Sequence, residues 1–161
     1  MRPAEDVEAI RKALFVFFDG LRDLRFTRLH LFGDIQGLVA LLPGWSPLLH
    51  YHQHPEPGLL TVHVGLNYSG QAEIETIARA ARQECRELGA APLETLLLSS
   101  GVPAVDFVFR AGGQQRLSGF LPFQTAYAEL WFTSSLWPDV TRKEFERSLS
   151  WYAQQERRLG E

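Results

Sequence analysis

The chain contains a single cysteine, Cys85, so it cannot form an internal disulfide. A reducing compartment such as the cytoplasm is therefore its expected location. The sequence also lacks any uninterrupted apolar run that approaches the ~18 to 20 residues a helix needs to span a bilayer. The chain turns acidic at Glu5 and Asp6 without an apolar stretch, so we expect no signal peptide. Any contact with a membrane is expected to be peripheral.

An excess of basic charge is also missing, because 16 lysines and arginines stand against 19 aspartates and glutamates, a net charge of -3. This balance argues against a nucleic-acid partner recognised by bulk charge, although it leaves room for a local basic pocket. Hydrophobic residues make up 45% and charged residues 22%, which is typical of a soluble globular protein. We predict a single domain over residues 1–161.

Segments with helical periodicity alternate along the chain with short apolar segments typical of buried strands. Strands are predicted at about residues 28–32, 59–66, 105–109 and 130–133, and helices at about 4–24, 72–88, 92–98, 122–127 and from Thr141 onward. The apolar stripes of the two long helices contain Val7, Ile10, Leu14, Phe17, Leu21 and Leu24, then Ile74, Ile77, Ala78, Ala81, Cys85 and Leu88. Prolines and glycines predict irregular structure from 35 to 58.

The alternation predicts an α/β fold with a parallel central sheet and helices on both faces. In such a sheet, ligands bind outside the carboxyl ends of the strands. Two predicted strand ends carry polar residues, at positions 67–70 and 110–118. The segment 110–118 is the better candidate for a binding site, because it contains two arginines and a serine.

Residues 110–118 combine two arginines, a serine and a Gly-Gly pair. Arg110, Arg116 and the Ser118 hydroxyl can surround a diphosphate with charge-assisted hydrogen bonds, and loop N–H groups can add more. Arginine suits this task because its planar fork matches two phosphate oxygens at once. Taken alone the pattern is weak, because an arginine-rich loop is more often a solvated surface.

Glu129 lies between apolar neighbours, where an unpaired charge is costly to bury. A metal ion or an arginine would each satisfy the carboxylate, and without further context a structural ion pair is the favoured explanation.

The histidines His50, His52 and His54 alternate along an extended segment. Their spacing is not that of a closed zinc site and no carboxylate or cysteine lies close by, so a solvated loop competes with a metal site. His63 and Cys85 are expected to be core residues.

The stretch from 110 to 124, RAGGQQRLSGFLPFQ, resembles the signature of bacterial undecaprenyl diphosphate synthases, which belong to the cis-prenyltransferase family. The resemblance continues through AYAELWF at 126–132 and LWPD at 136–139. Shorter matches follow in the same order at 2–3, 32–34, 66–70 and 156–160. It therefore covers essentially the whole chain.

The resemblance implies a transferase for Z-selective prenyl chain elongation, which condenses isopentenyl diphosphate with a farnesyl-type allylic diphosphate. It implies that Arg110, Arg116 and Ser118 hold the isopentenyl diphosphate, and that Glu129 helps to hold Mg²⁺ on it. Arg2 matches an arginine near the allylic diphosphate. Arg158 and Gly160 match a terminal Arg-x-Gly motif that reaches into a neighbouring subunit. The resemblance also implies that the growing product lies in an apolar tunnel. The candidate lining residues could equally be ordinary core residues, which is the alternative interpretation: Leu14, Phe17, Leu21, Val62 and Val64.

The chain departs from the family pattern most at its beginning. Relatives carry an upstream strand that ends in a Met-Asp-Gly-Asn-Gly-Arg-Trp-like loop with the catalytic aspartate, so the catalytic residue is unknown here. We expect a fold that lacks its first strands, through truncation or a mis-set start, or a fold completed by a partner. Within the signature, Gln114 replaces the usual Glu and Gly119 replaces a common Asn.

The enzyme would act as a homodimer or a heteromer. Two other hypotheses for the function of the chain remain open. One is a non-catalytic partner subunit similar to the Nogo-B receptor, which lacks the aspartate and donates the Arg-x-Gly motif. The other is a protein that binds isoprenoid diphosphates without turnover. An in-frame aspartate loop in the DNA upstream of Met1 would favour the enzyme.

Overall fold

The structure, a computed structural model, describes residues 3–22, 27–49, 60–83 and 96–156. It divides into two compact units, Met1–Ser100 and Gly101–Glu161, which we call the N-terminal unit and the C-terminal unit. Each unit contains one pair of parallel strands. The predicted combination of parallel strands and helices is therefore confirmed within each unit, whereas the single-domain organisation stays a prediction.

The N-terminal unit pairs its two strands in parallel. Its elements are α1 (Ala4–Arg22), β1 (Thr27–Phe32), α2 (Ile35–Leu41), a 3-10 turn (Pro43–Trp45), β2 (Leu60–Gly65) and α3 (Gly70–Gln83). The register runs from Thr27 opposite Leu60 to Phe32 opposite Gly65. The segments that follow both strands are thus neighbours at one edge, and Leu66 N–H continues the ladder to Phe32 O at 3.0 Å.

Helix α1 covers the core of this unit with one face. Val7, Ile10 and Leu14 pack against the core as predicted, but Phe18 is fully buried and Phe17 is 48% exposed. The expectation for Phe17 is wrong because, at 3.6 residues per turn, positions 17 and 18 flank the stripe at similar angles. Partly buried Phe15 lies on the Phe18 side and shifts the buried face that way. The buried cluster is Phe18, Leu31, Ile35, Trp45, Leu48 and Leu66, with Leu14 and Val64 against it.

The predicted irregular segment begins instead with the short helix α2. The Asp34 carboxylate accepts the Gly37 N–H at 2.8 Å and so caps the first turn, and Ile35 is buried in the core. Pro43 then stops the helix, because the residue before a proline disfavours the helical conformation. This helix is seven residues long, and a cap and one apolar anchor are sufficient to form it despite Gly37 within it and Pro43 after it.

The C-terminal unit contains β3 (Phe107–Arg110), β4 (Glu129–Phe132), a 3-10 turn (Trp137–Asp139) and α4 (Arg142–Tyr152). The strands are parallel, so a crossover must connect them. Residues 111–128 make that crossover without a helix. The helix predicted at 122–127 is wrong, since the segment forms turns such as Thr125 N–H to Leu121 O at 2.9 Å.

Aromatic rings fix α4 on one face of this strand pair. The ring centroids of Phe109 and Phe145 are 5.4 Å apart, as are those of Trp131 and Trp151. Side chains alternate between faces along a strand, so Glu129 shares the α4 face with Trp131, and Arg110 lies on the other face.

No helix formed by the described residues is long and apolar enough to cross a membrane.

Candidate functional site

Arg110, the last residue of β3, organises a polar cluster at the carboxyl end of the strand. Its Nη1 donates to Ser118 Oγ at 3.2 Å and also to the backbone carbonyl of Arg116. Arg110 is half-buried, whereas Arg116 and Ser118 are exposed. The structure therefore brings together Arg110, Ser118 and the Arg116 backbone, with the exposed Arg116 and Ser118 side chains open to a ligand.

The loop that carries this cluster depends on left-handed backbone conformations. Gly112, Gly113 and Gly119 have φ of 95°, 74° and 73°, and the non-glycine residues Ser118 and Leu121 have φ of 53° and 49°. Positive φ is uncommon for residues with a side chain, and it clusters at functional sites. Gly119 is explained by the same geometry, since asparagine, the common family residue there, also tolerates this region.

The Gly-Gly turn is fixed to the segment that leaves β4. Gly112 N–H donates to Ser135 O and Gly113 N–H to Thr133 O, both at 2.8 Å, and Thr133 N–H donates to Arg110 O at 2.9 Å. The two segments thus continue the pairing of β3 and β4 beyond the strand ends. Two guanidinium groups, one hydroxyl and a fixed loop backbone are suited to binding a polyanion such as a diphosphate.

Glu129 lies apart from this cluster. It is opposite Phe107 in the register, whereas Arg110 is opposite Phe132, three residues further along, or about 10 Å of strand rise. Among residues 96–156, the half-buried Glu129 side chain forms no hydrogen bond or ion pair, so the structural ion pair is not formed there. The described part of the chain also contains no group of three or more metal-ligating side chains.

Several residues singled out in the sequence lie outside the described residues: Arg2, His50, His52, His54, Cys85, Arg158 and Gly160. His63 lies in β2 and is half-buried, with its Nδ1 2.7 Å from His30 Nδ1 on β1. It is hydrogen-bonded as expected for a satisfied histidine. Burial lowers the pKa of His63, and the positive charge of Arg28 lowers it further.

A buried carboxylate at the carboxyl edge of β1 and β2 was missed in the sequence. Glu73 is 1% exposed, and its Oε1 accepts the Ser99 N–H at 2.8 Å and the Ser99 hydroxyl at 2.7 Å. The Tyr68 hydroxyl donates to its other oxygen at 2.8 Å. Asn67, with φ of 49°, donates its side-chain amide to the Asp34 carboxylate at 3.3 Å. This network ties the 96–100 turn to the ends of both strands.

A second missed carboxylate is Glu144 in the first turn of α4. The capping-box spacing identified its local partner, and Glu144 N–H does donate to Thr141 Oγ1 at 3.2 Å. However, its carboxylate also accepts hydrogen bonds from the hydroxyls of Thr133 and Ser135, the latter at 3.0 Å. No sequence pattern pairs a capping glutamate with hydroxyls nine and eleven residues upstream.

Comparisons with known proteins identify the family of the chain. The prenyltransferase family model, described as undecaprenyl diphosphate synthase, matches residues 2–160. A ditrans,polycis-undecaprenyl-diphosphate synthase of Pasteurella multocida, described as (2E,6E)-farnesyl-diphosphate specific, is 32% identical over 99% of this chain and 70% of its own length. Isoprenyl transferase 1 of Corynebacterium efficiens is 39% identical over 63% of this chain and 44% of its own length.

Among solved structures, a probable undecaprenyl diphosphate synthase from Campylobacter jejuni superposes with a TM-score of 0.73 and 27% identity. The match covers 99% of this chain and 77% of that protein. The predicted α/β fold class is thereby confirmed for the chain as a whole.

The comparisons also bear on the predicted activity. The matched relatives are named as synthases of undecaprenyl diphosphate and as isoprenyl transferases, which confirms the predicted class of transferase at the level of the family. These relatives give no specific support to the hypothesis that the chain is a non-catalytic partner subunit. Since the family model covers residues 2–160, the chain belongs to the cis-prenyltransferase family of undecaprenyl diphosphate synthases.

Proposed function

We propose that the protein serves Z-selective prenyl chain elongation, in which isopentenyl diphosphate is condensed with a farnesyl-type allylic diphosphate. Arg110, Arg116 and Ser118 hold the diphosphate of isopentenyl diphosphate. The observation that carries this assignment is the Arg110 guanidinium fixed against Ser118 Oγ at 3.2 Å, in a loop held by left-handed residues. The description of the Pasteurella relative as specific for farnesyl diphosphate supports the choice of primer.

The chemical task of this cluster is to bind and orient the substrate. In the condensation, the alkene of isopentenyl diphosphate forms a carbon–carbon bond to the allylic carbon. The allylic carbon–oxygen bond breaks and releases pyrophosphate, and the isopentenyl unit loses one proton to that pyrophosphate or to water. The isopentenyl diphosphate group remains on the product, so Arg110 and Arg116 act as an anchor. An anchor that aligns the alkene removes much of the entropic cost of a reaction between two molecules.

Glu129 is the proposed ligand for Mg²⁺ on the strength of the family pattern, although its position lies about 10 Å of strand rise from Arg110 and on the other face of the strand pair. Its carboxylate is half-buried and has no protein partner among residues 96–156, as expected of a group that is completed by a cation. Mg²⁺ usually takes one or two carboxylates together with phosphate oxygens and waters, so a single glutamate fits its preference. When bound, the ion would offset the negative charge of the diphosphate.

The remaining assignments rest on the family pattern. Arg2 is proposed to contact the allylic diphosphate, and Arg158 and Gly160 to reach into a neighbouring subunit of a homodimer or heteromer. We also propose a cytoplasmic location in which any membrane contact is peripheral.

Binding of isopentenyl diphosphate, measured by titration calorimetry with and without Mg²⁺, tests the proposed site directly. The R116A variant should lose most of the affinity, because a hydrogen-bonded charge contributes about 1.5–3 kcal/mol. R79A is the matched control, since Arg79 is 67% exposed and pairs with Glu75 one turn earlier. Equal affinities for R116A and the wild type would contradict the assignment.

Two further measurements test the role of Glu129 as a metal ligand and the ability of the chain to catalyse elongation. E129Q should bind isopentenyl diphosphate equally with and without Mg²⁺ while keeping the free energy of unfolding of the wild type. Elongation of farnesyl diphosphate with labelled isopentenyl diphosphate then reports activity. Magnesium-dependent binding without elongation would favour a partner subunit or a binding protein over an enzyme.

A further inference from the structure

The Gly112–Gly113 turn owes its position to two backbone carbonyls. Gly112 N–H and Gly113 N–H donate to Ser135 O and Thr133 O at 2.8 Å. A Cβ added at Gly112 would meet no atom within 4 Å, so packing on that side does not hold the turn. These hydrogen bonds therefore place the loop that continues from Arg110, and whatever fixes Thr133 and Ser135 also fixes the loop.

Glu144 fixes both of those residues at once. Its carboxylate accepts a hydrogen bond from the Thr133 hydroxyl, and the Ser135 hydroxyl lies 3.1 Å and 3.0 Å from its two oxygens. The Thr133 hydroxyl is the largest cause that lowers the pKa of Glu144, followed by the Ser135 hydroxyl, the charge of Arg147 and the Thr141 N–H. The carboxylate is therefore the acceptor that two hydroxyls share.

The helix that carries Glu144 is itself held in place. Thr141 caps α4 through the Glu144 N–H, and Phe145 stacks edge-on against Phe109 with 5.4 Å between centroids. The carboxylate thus extends from a fixed helix terminus toward the segment after β4. The hydrogen bonds from Thr133 and Ser135 to this carboxylate are not needed to cap the helix, because Thr141 already caps it.

We propose that Glu144 is a positioning residue for the diphosphate loop, acting through Thr133 and Ser135 on the N–H groups of Gly112 and Gly113. This inference rests on the proposed function, because it assumes that the loop binds the diphosphate of isopentenyl diphosphate. Loss of the carboxylate would free the Gly-Gly turn while the arginines that contact the substrate remain. The consequence is weaker substrate binding without unfolding.

Hydrogen exchange and calorimetry on the full chain test this together. In E144Q, the amide hydrogens of Gly112 and Gly113 should exchange faster than in the wild type, while those of the ladder between β3 and β4 exchange at unchanged rates. Affinity for isopentenyl diphosphate should fall roughly 5- to 20-fold, the effect of one weakened hydrogen bond to a charged group. The E144D variant, which keeps the charge but shortens the reach, should fall between E144Q and the wild type.

The double variant T133V/S135A gives an independent reading. It removes both donors and leaves α4 unchanged, so it should reproduce both effects of E144Q, and adding E144Q to it should change little more because the three residues act as one unit. It also serves if E144Q fails to fold. E146Q is the control, since Glu146 is exposed and pairs with Arg142 on the same helix.

The outcomes separate this inference from the proposed function. Unchanged exchange at Gly112 and Gly113 in E144Q, or faster exchange with unchanged affinity, would overturn the positioning role while the site assignment survives. Absence of binding by the wild type would overturn the assignment, and with it the inference. Faster exchange together with weaker binding, in both E144Q and the double variant, supports the positioning role.

Discussion

Arg110 and Ser118 are eight residues apart in the sequence, yet Arg110 Nη1 donates to Ser118 Oγ at 3.2 Å. The contact requires the chain to reverse between them, which it does through Gly112 and Gly113, and it requires Ser118 itself to hold a φ of 53°. A serine in this region carries a steric cost that glycine would avoid. Its hydroxyl, placed beside a guanidinium, is the feature that offsets the cost if the cluster binds an anion.

Substitutions at Ser118 separate the backbone from the hydroxyl. S118G should keep the free energy of unfolding within about 1 kcal/mol of the wild type, because glycine adopts the conformation freely. It should nevertheless lose roughly tenfold in affinity for isopentenyl diphosphate by calorimetry. S118V should lose about 1–2 kcal/mol of stability in urea unfolding, since a branched side chain disfavours positive φ. Equal urea midpoints for the two variants would contradict this account.

Gly33 stands at the close approach of the two strand ends in the N-terminal unit. A Cβ there would lie 2.3 Å from Leu66 O, and the φ of 107° disfavours any side chain. G33A should therefore cost about 2–4 kcal/mol in the free energy of urea unfolding. G44A is the matched control, because a Cβ at Gly44 meets nothing within 4 Å, and it should stay within about 0.5 kcal/mol of the wild type. A G33A variant as stable as G44A would show that the strand ends can separate.

The contrast between Ile74 and Glu73 shows how far sequence pattern reaches. Apolar spacing correctly predicted a helix in this region, since Gly70–Gln83 is helical. It placed Ile74 inward, yet Ile74 is 60% exposed and Glu73 is 1% exposed. Periodicity reports which faces are apolar, but it cannot report that a hydroxyl and an N–H of Ser99, 26 residues away, will meet a carboxylate. Such partners follow only from tertiary packing.

In the candidate site, too, some residues could be predicted from the sequence and others could not. Arg110, Arg116 and Ser118 could be found because they lie in one contiguous motif after a predicted strand. The contact between Glu144 and Thr133 could not, because it depends on where α4 docks on the strand pair, and the spacing near Glu144 indicated only a cap. The predicted helix at 122–127 fails for a related reason: Leu121 takes a φ of 49° and leads the chain into turns.

Glu73 should be a major contributor to the stability of the N-terminal unit. E73A would leave the Ser99 N–H and hydroxyl without their acceptor in a buried site, and we expect a loss of about 3 kcal/mol in urea unfolding. E73Q keeps one carbonyl acceptor and should lose about half as much. E75A is the control, because Glu75 is 68% exposed and its pair with Arg79 should contribute less than about 0.5 kcal/mol. If E73A and E75A had the same free energy of unfolding, the hydrogen bonds of Glu73 would not be a major source of stability.

The pair of His30 and His63 should make stability depend on pH. Their Nδ1 atoms are 2.7 Å apart, so one ring must donate and the other must accept, and protonation of both would leave two donors facing each other. Burial and the charge of Arg28 lower the pKa of His63 below its ordinary 6.5. The unfolded chain therefore binds the proton first. Stability from this pair is complete above pH 6.5 and falls as the pH drops through the folded pKa.

Urea unfolding at about pH 7.5 and about pH 5.5 measures this effect while most carboxylates stay ionised. The wild type should lose more free energy of unfolding over this interval than H63Q, which has no group to titrate at that position. H30Q leaves His63 beside a neutral amide instead of an imidazole, and it should retain part of the dependence because burial of His63 remains its largest cause. If the wild type and H63Q lost equal stability between the two pH values, His63 would not be the group that titrates over this interval.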